Sequence, residues 1–419
     1  MAHALKQSFY AFAHRYTTQR PAHYHELGRH AMTRAVWETD AQLNGISKQF
    51  DILLHVTPVN APAAWAEFQR RGCQGEPEFN YRPRPVEPDL LKRRLYQIPI
   101  EDIEDPTLAQ IFTAKRDELD RQITLIADRN TSRFLHGSQQ IYGAVEDWLL
   151  QLAHQLVEQI PPAASPGPGA QILDADALAM RAGEELAWYR QAMPDLPARV
   201  ELRDDVPGIM VSRGHFLVGR DARVAVDRLN ATLAHELGTH IVTYYNGRSQ
   251  PFRQLYAGLA SYEVLQEGLA VLAEYLVGEM NAARLRLLAG RVLAVSCLTA
   301  GADFVATFRE LTRRHVFAPD VAFSIAMRVY RGGGYTKDAV YLRGLAQLLD
   351  YLGKGGDIDL LLLGKVNLEH AHLVEELRWR KVLRPGPLRP RHLESPEAMQ
   401  RLEHIRQGMT ISRLAEECA

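Results

Sequence analysis

Apolar residues recur every three to four positions along much of the chain, a spacing that predicts a mainly helical protein. Leu108 to Ile126 carries one such stripe, Gln139 to Gln159 a second through Ile141, Val145, Leu149, Leu152 and Leu156, and Ala175 to Ala192 a third. The stretch from Arg199 to Gly219 differs. There VELRD, IMVS and HFLVG, with a Ser-Arg-Gly turn between the last two, predict a short antiparallel sheet ending in a hairpin. The segment PPAASPGPGA at 161–170 can continue neither a helix nor a sheet ladder. It is read as a linker between an N-terminal mainly helical region, 1–160, and a second unit, 171–419.

Downstream of the hairpin, the apolar run DRLNATLAHELGTHIVTYYNG contains His235-Glu236-Leu237-Gly238-Thr239-His240, an HExxxH pattern. Five residues at about 100° each leave the two imidazoles roughly 140° apart on a regular helix, unable to share an ion. A π-type turn, one residue wider, would bring them into line, and Gly238 stands where that irregularity costs least. The motif therefore predicts a locally distorted helix. Imidazoles suit zinc, and a hydrolytic zinc site takes three protein ligands, so a third is needed. SYEVLQEGLAVLAEYL at 261–276 supplies it: Glu263, Glu267 and Glu274 share one face of a second apolar helix. Desolvating three carboxylates there would cost several kcal/mol without a cation. Glu267, the central one, is assigned as ligand with His235 and His240, for one Zn2+ per chain. Glu263 and Glu274 are read as supporting or surface groups. Glu236, beside a ligand but pointing elsewhere, is placed to take a proton from the attacking water.

A second HExxxH, His25 to His30, stands in a polar N-terminal stretch with no apolar helix before it and no carboxylate helix after it, and is read as surface structure. Lys354 in GKGG lacks the flanking residues of a phosphate loop. His370 and His372 are read as surface histidines. The run Arg378, Arg380, Lys381, Arg384, Arg389 and Arg391 with Trp379 is read as a solvated basic face.

The 419 residues, 46% hydrophobic and 24% charged, suffice for a closed active site. Lysine plus arginine, 49, cancel aspartate plus glutamate, 50, so no whole-molecule field draws the chain to nucleic acid or membrane, and neither is expected as a partner. Cys73, Cys297 and Cys418 form no CxxC pair, which points to a reducing compartment. No apolar run long enough for a signal peptide or a spanning helix occurs, and the chain is expected to be cytoplasmic.

HELGTH followed by QEGLA resembles the QEGLA-motif proteins, a bacterial group related to the microtubule-associated tyrosine carboxypeptidases. The resemblance extends through VTPVNAP (56–62), FNYRPRP (79–85), RFLHGSQQIYG (133–143), IMVSRGHFL (209–217), NGRSQP (246–251), RVYRGGGYTKDAVYLRGL (328–345) and LLLGKV (361–366). It implies the same four residues, His235, His240 and Glu267 on zinc and Glu236 as catalytic group. It also implies removal of a C-terminal residue, often tyrosine, from a peptide or protein substrate.

Such an enzyme must grip a free α-carboxylate, for which charge-assisted hydrogen bonds serve. Arg328 and Arg331 close one helix, a triple glycine follows, and Lys337 and Tyr341 share a face of the next helix, with Thr336 expected as its N-cap. The segment reads equally as a helix–helix turn whose cations neutralise helix ends. The resemblance favours substrate binding by Arg328, Arg331 and Lys337, with Tyr341 as donor to the scissile carbonyl. The hairpin ending at His215 offers an edge to an extended substrate. The expectation is a mainly helical α+β metallopeptidase with a gluzincin-like core, two histidines plus glutamate, in 171–419. The same zinc site would also serve an amidase or deacylase on a non-peptide amide, or staple a non-catalytic regulator; the intact Glu236 speaks against the last.

Overall fold

A computed structural model describes residues 2–18, 24, 31–84, 87–162, 171–206 and 208–418. The first HExxxH copy at 25–30 and most of the 161–170 linker lie outside the described residues. The protein is mainly helical with two small sheets. Local chemistry sets the helix bounds: Asp105 accepts hydrogen bonds from the Thr107 and Leu108 amides ahead of Pro106, opening the Pro106–Ala127 helix, and Asp174 caps Ala175–Ala192 through Ala177. The stripe read over Gln139–Gln159 is two helices, Arg133–Tyr142 and Asp147–Gln159. They part at Gly143, whose φ of +79° no helix accommodates, and Arg343 fills the corner by donating to the Tyr142 and Ala144 carbonyls.

The strands are β1 (Ile172–Leu173), β2 (Val200–Arg203), β3 (Ile209–Ser212), β4 (His215–Gly219) and β5 (Val224–Ala225). β3 and β4 pair antiparallel with Ser212 opposite His215, whereas β2 pairs β4 in parallel, in the order β2-β4-β3. The sheet is thus mixed, not wholly antiparallel. β4 is the most buried strand, with Phe216 and Val218 fully buried, so it takes the centre and both ladders, leaving half-buried β2 and β3 as edges. β1 and β5 form a separate two-stranded pair.

Side chains from 31–160 and from 252–415 share one hydrophobic core, and a smaller cluster joins 175–245 with Leu388. At the centre, the Tyr262–Leu276 and Val340–Gly353 helices meet backbone to backbone through two glycines. A Cβ on Gly344 would stand 1.9 Å from the Val264 carbonyl oxygen, and one on Gly268 2.5 Å from the Gly344 carbonyl carbon. Gly268, next to Glu267, is therefore needed for packing. Gly344→Ala should destabilise the protein by roughly 1–3 kcal/mol, the usual range of overpacking; an unchanged denaturant midpoint would contradict this contact.

The Ala2–Tyr16 helix corrects the reading of a polar N-terminal stretch. Ala13 is buried against the body, while Leu5, Phe9, Phe12 and Tyr16 face outward.

Candidate active site

The Leu229–His235 helix runs without interruption into a π-turn over Glu236–Ile241, followed by the Val242–Arg248 helix. The expected distortion lies where the five-residue spacing requires it. Thr239 Oγ1 donates to the Ala234 carbonyl, five residues back, at 3.2 Å. Gly238 turns its bare Cα to His392, whose Nδ1 would lie 3.3 Å from a Cβ there. The imidazole centroids of His235 and His240 come within 5.2 Å.

Glu267 reaches the pair from the Tyr262–Leu276 helix, with Oε2 3.9 Å from Nε2 of each histidine. Thr243 Oγ1, donating to Gln266 Oε1 at 2.9 Å, ties the two helices in register. One nitrogen from each imidazole and one Glu267 oxygen all lie within 4.8 Å of one another. Zinc donors at about 2.0–2.2 Å from the ion would stand somewhat closer than this, so a small inward shift suffices. The donor set, two imidazoles and a carboxylate, is the kind that suits a catalytic zinc.

The three carboxylates expected on one helix face have separate tasks. Glu274, buried, accepts from His235 Nδ1 at 2.9 Å, from Arg284 at 2.8 and 3.0 Å, and from Arg228. An ionised carboxylate only accepts, so His235 Nδ1 must carry the proton, and its Nε2 lone pair faces Glu267. Burial opposes the Glu274 charge, but Arg284 and His235 outweigh it and hold the carboxyl far below its usual range. Glu267 Oε1 accepts from Lys337 Nζ at 2.7 Å, and Glu263 lies 3.8 Å from the same Nζ. Against the penalty of burial, Lys337 and the two histidines bring Glu267 down to about 2. Burial brings His240 down to about 3, leaving it a neutral donor. Glu236 is 9% exposed, with no ion-pair partner among the described residues, and burial pushes it up to about 7 against the pull of His235.

All eight residues singled out in the sequence line one cavity of about 530 Å3. Their surroundings sort the cations. Arg328 grips buried Asp338 at 2.5 and 2.9 Å, and its guanidinium lies 6.0 Å from the Tyr341 ring centre. Lys337 is engaged by Glu267 and Glu263. Arg331 is different: it donates to Thr57 Oγ1 at 3.3 Å, while its buried Nε and Nη2 have no acceptor among the described residues. Thr336 does not cap a helix. It begins a 3-10 turn, its amide donates to Ser138 Oγ, and the following helix opens at Val340 without a side-chain cap.

Sequence reasoning missed Lys365. It lines the cavity, stands 5.5 and 5.2 Å from the Tyr244 and Tyr262 ring centres, has no carboxylate partner among the described residues, and is brought down to about 8 by burial. Its only sequence signal was a lone cation in the apolar LLLGKV. The basic run near residue 380 is largely neutralised, with Arg378 on Asp357, Arg380 on Asp105 and Glu376, and Arg391 on Glu185.

Among solved structures, a putative lipoprotein of unknown function from Shewanella oneidensis is similar at 12% identity over 82% of each chain, with a TM-score of 0.37, too low to bear on the fold. No curated protein matches. The family model of the microtubule-associated tyrosine carboxypeptidases matches residues 66–410, which include His235, Glu236, His240, Glu267, Arg328, Arg331, Lys337 and Tyr341. Matched over well more than half its length, the chain belongs to the microtubule-associated tyrosine carboxypeptidase family and so to a group with carboxypeptidase-like function.

Proposed function

We propose that this protein is a zinc-dependent carboxypeptidase that removes a C-terminal residue, tyrosine among the candidates, from a peptide or protein. The observation that carries this reading is the convergence of His235, His240 and Glu267 beside buried Glu236 in the cavity that Arg331 also lines. Zinc, when bound, supplies a Lewis acid that polarises the scissile carbonyl and acidifies water. The protein's own groups do the rest. Glu274 and Lys337 orient His235 and Glu267. Glu236, poised near neutral pH, takes the proton of the attacking water and returns it to the departing amine. Tyr341, which lines the cavity with Arg328 beside its ring, donates its hydroxyl to the carbonyl oxygen.

β3 supports the peptide assignment. It is an edge strand, laddered only to β4 among the described residues, and Ile209 to Ser212 line the cavity, so its outer backbone can pair with an extended chain. Arg331 supports the terminal specificity, because it lines the cavity with no carboxylate in ion-pair distance among the described residues, so a substrate α-carboxylate can pair with its guanidinium. No helix among the described residues is long and apolar enough to cross a membrane, and the three cysteines are free, which suits work in a reducing compartment such as the cytoplasm.

Arg331→Ala should keep its metal yet lose roughly ten- to hundredfold in kcat/KM on free-acid peptides, the scale of a charge-assisted bond of about 1.5–3 kcal/mol. Peptides amidated at the C-terminus should be poor substrates of the unaltered enzyme. Equal rates on free and amidated ends would replace the carboxypeptidase with an amidase or endopeptidase.

A further inference from the structure

The Ala2–Tyr16 helix shows the solvent a face that a helix of a monomeric protein normally buries. Leu5, Phe9, Phe12 and Tyr16 are 52, 63, 57 and 65% exposed. At about 100° per residue the four positions fall within roughly 60° of arc, so they form one stripe along the whole helix. The helix is held to the body from another side, by buried Ala13 and by Lys6, whose Nζ meets Glu376 at 2.5 Å. Among the described residues the outward stripe is therefore an unpartnered apolar face on a docked helix.

Charge says what covers it. The sequence has no aspartate or glutamate before Glu26; Lys6 is paired with Glu376, and Arg15 and Arg20 add two further positive charges. Arg15 is exposed and lies over the Tyr16 ring, 5.5 Å from its centre, at the border of the stripe. Two copies of such a helix, packed face to face, would bring cations together with no carboxylate on either to pair them, and three of the four contact residues are aromatic where helix pairs favour aliphatic ones. An anionic bilayer surface fits both features: aromatic rings enter the interface and arginine meets the headgroups. Trp379, 47% exposed, and the exposed Lys381 extend the same chemistry on the chain just after Glu376, the residue that holds Lys6.

We propose that the Ala2–Tyr16 helix is a peripheral membrane-binding element that lays Leu5, Phe9, Phe12 and Tyr16 into the interface of an anionic bilayer. The absence of a spanning helix among the described residues is compatible with this, because an interfacial helix lies in the membrane plane. The proposal departs from the expectation, drawn from net charge, of a chain without membrane contact, because a balanced total says nothing of how charges are distributed.

Flotation of the full-length protein tests it, with phosphatidylcholine vesicles and with vesicles containing about one third phosphatidylglycerol. The unaltered protein should float with the anionic vesicles and much less with the neutral ones. Phe9→Ser/Phe12→Ser should reduce the bound fraction at least about tenfold, the scale of exposing two phenylalanines. Arg15→Glu, which leaves the stripe intact, should lower binding to anionic vesicles alone. Failure of the unaltered protein to float, or equal flotation of the double variant, would overturn the proposal. So would a lipid-free dimer that the double variant dissociates, since a second copy would then cover the face.

Discussion

Glu236→Gln should retain its metal and its unfolding midpoint and lose hydrolysis by about 10²–10⁴, the range attributed to a positioned general base. Glutamine has the same shape, and buried Glu236 holds no ion-pair partner among the described residues. Burial already raises this group to about 7, so removing its charge imposes no large structural cost. The amide can fill the position but cannot accept the proton of the attacking water. A Glu236→Gln enzyme of near-normal activity would remove Glu236 from the mechanism while leaving the metal site standing.

Zinc should be absent from purified His235→Ala and Glu267→Ala, with turnover falling to background in both. Each substitution removes one of three donors, and no other His, Cys, Asp or Glu among the described residues joins the group. The two variants should differ in stability. His235→Ala removes one of several partners of Glu274, which keeps Arg284 and Arg228. Glu267→Ala strips Lys337, whose side chain is 4% exposed, of its 2.7 Å partner and leaves Glu263 at 3.8 Å. A buried charge without its partner costs about 3–5 kcal/mol, so Glu267→Ala should unfold at clearly lower denaturant. Elemental analysis and denaturant titration separate the two effects. Full zinc occupancy in Glu267→Ala would end its role as third ligand.

The convergence of His235, His240 and Glu267 was legible because it follows from short spacings. Five residues from His235 to His240 demand a widened turn, and three carboxylates on an apolar helix demand cations. What stayed hidden depends on distant pairing. Nothing local to Glu274 says that it holds His235, thirty-nine positions away, rather than facing solvent. Arg328, Arg331 and Lys337 look alike in sequence; only the positions of Asp338, Thr57 and Glu267 tell them apart. The parallel β2–β4 ladder escaped for a related reason: strand order in a three-stranded sheet follows from which strand is buried on both sides, and local period does not report that. Gly143 was passed over because Ile141, Val145 and Leu149 keep helical spacing across it although the backbone does not. In Ala2–Tyr16 the stripe was in plain sequence view, diluted by the alanines and polar residues between its members.

The most direct test of the central claim is mass spectrometry of a peptide library with free C-termini, before and after incubation with the zinc-loaded protein, with Glu236→Gln as control. Products each shorter by one C-terminal residue should form with the unaltered enzyme alone. Internal cleavage, or an unchanged library under conditions where zinc is bound, would contradict it.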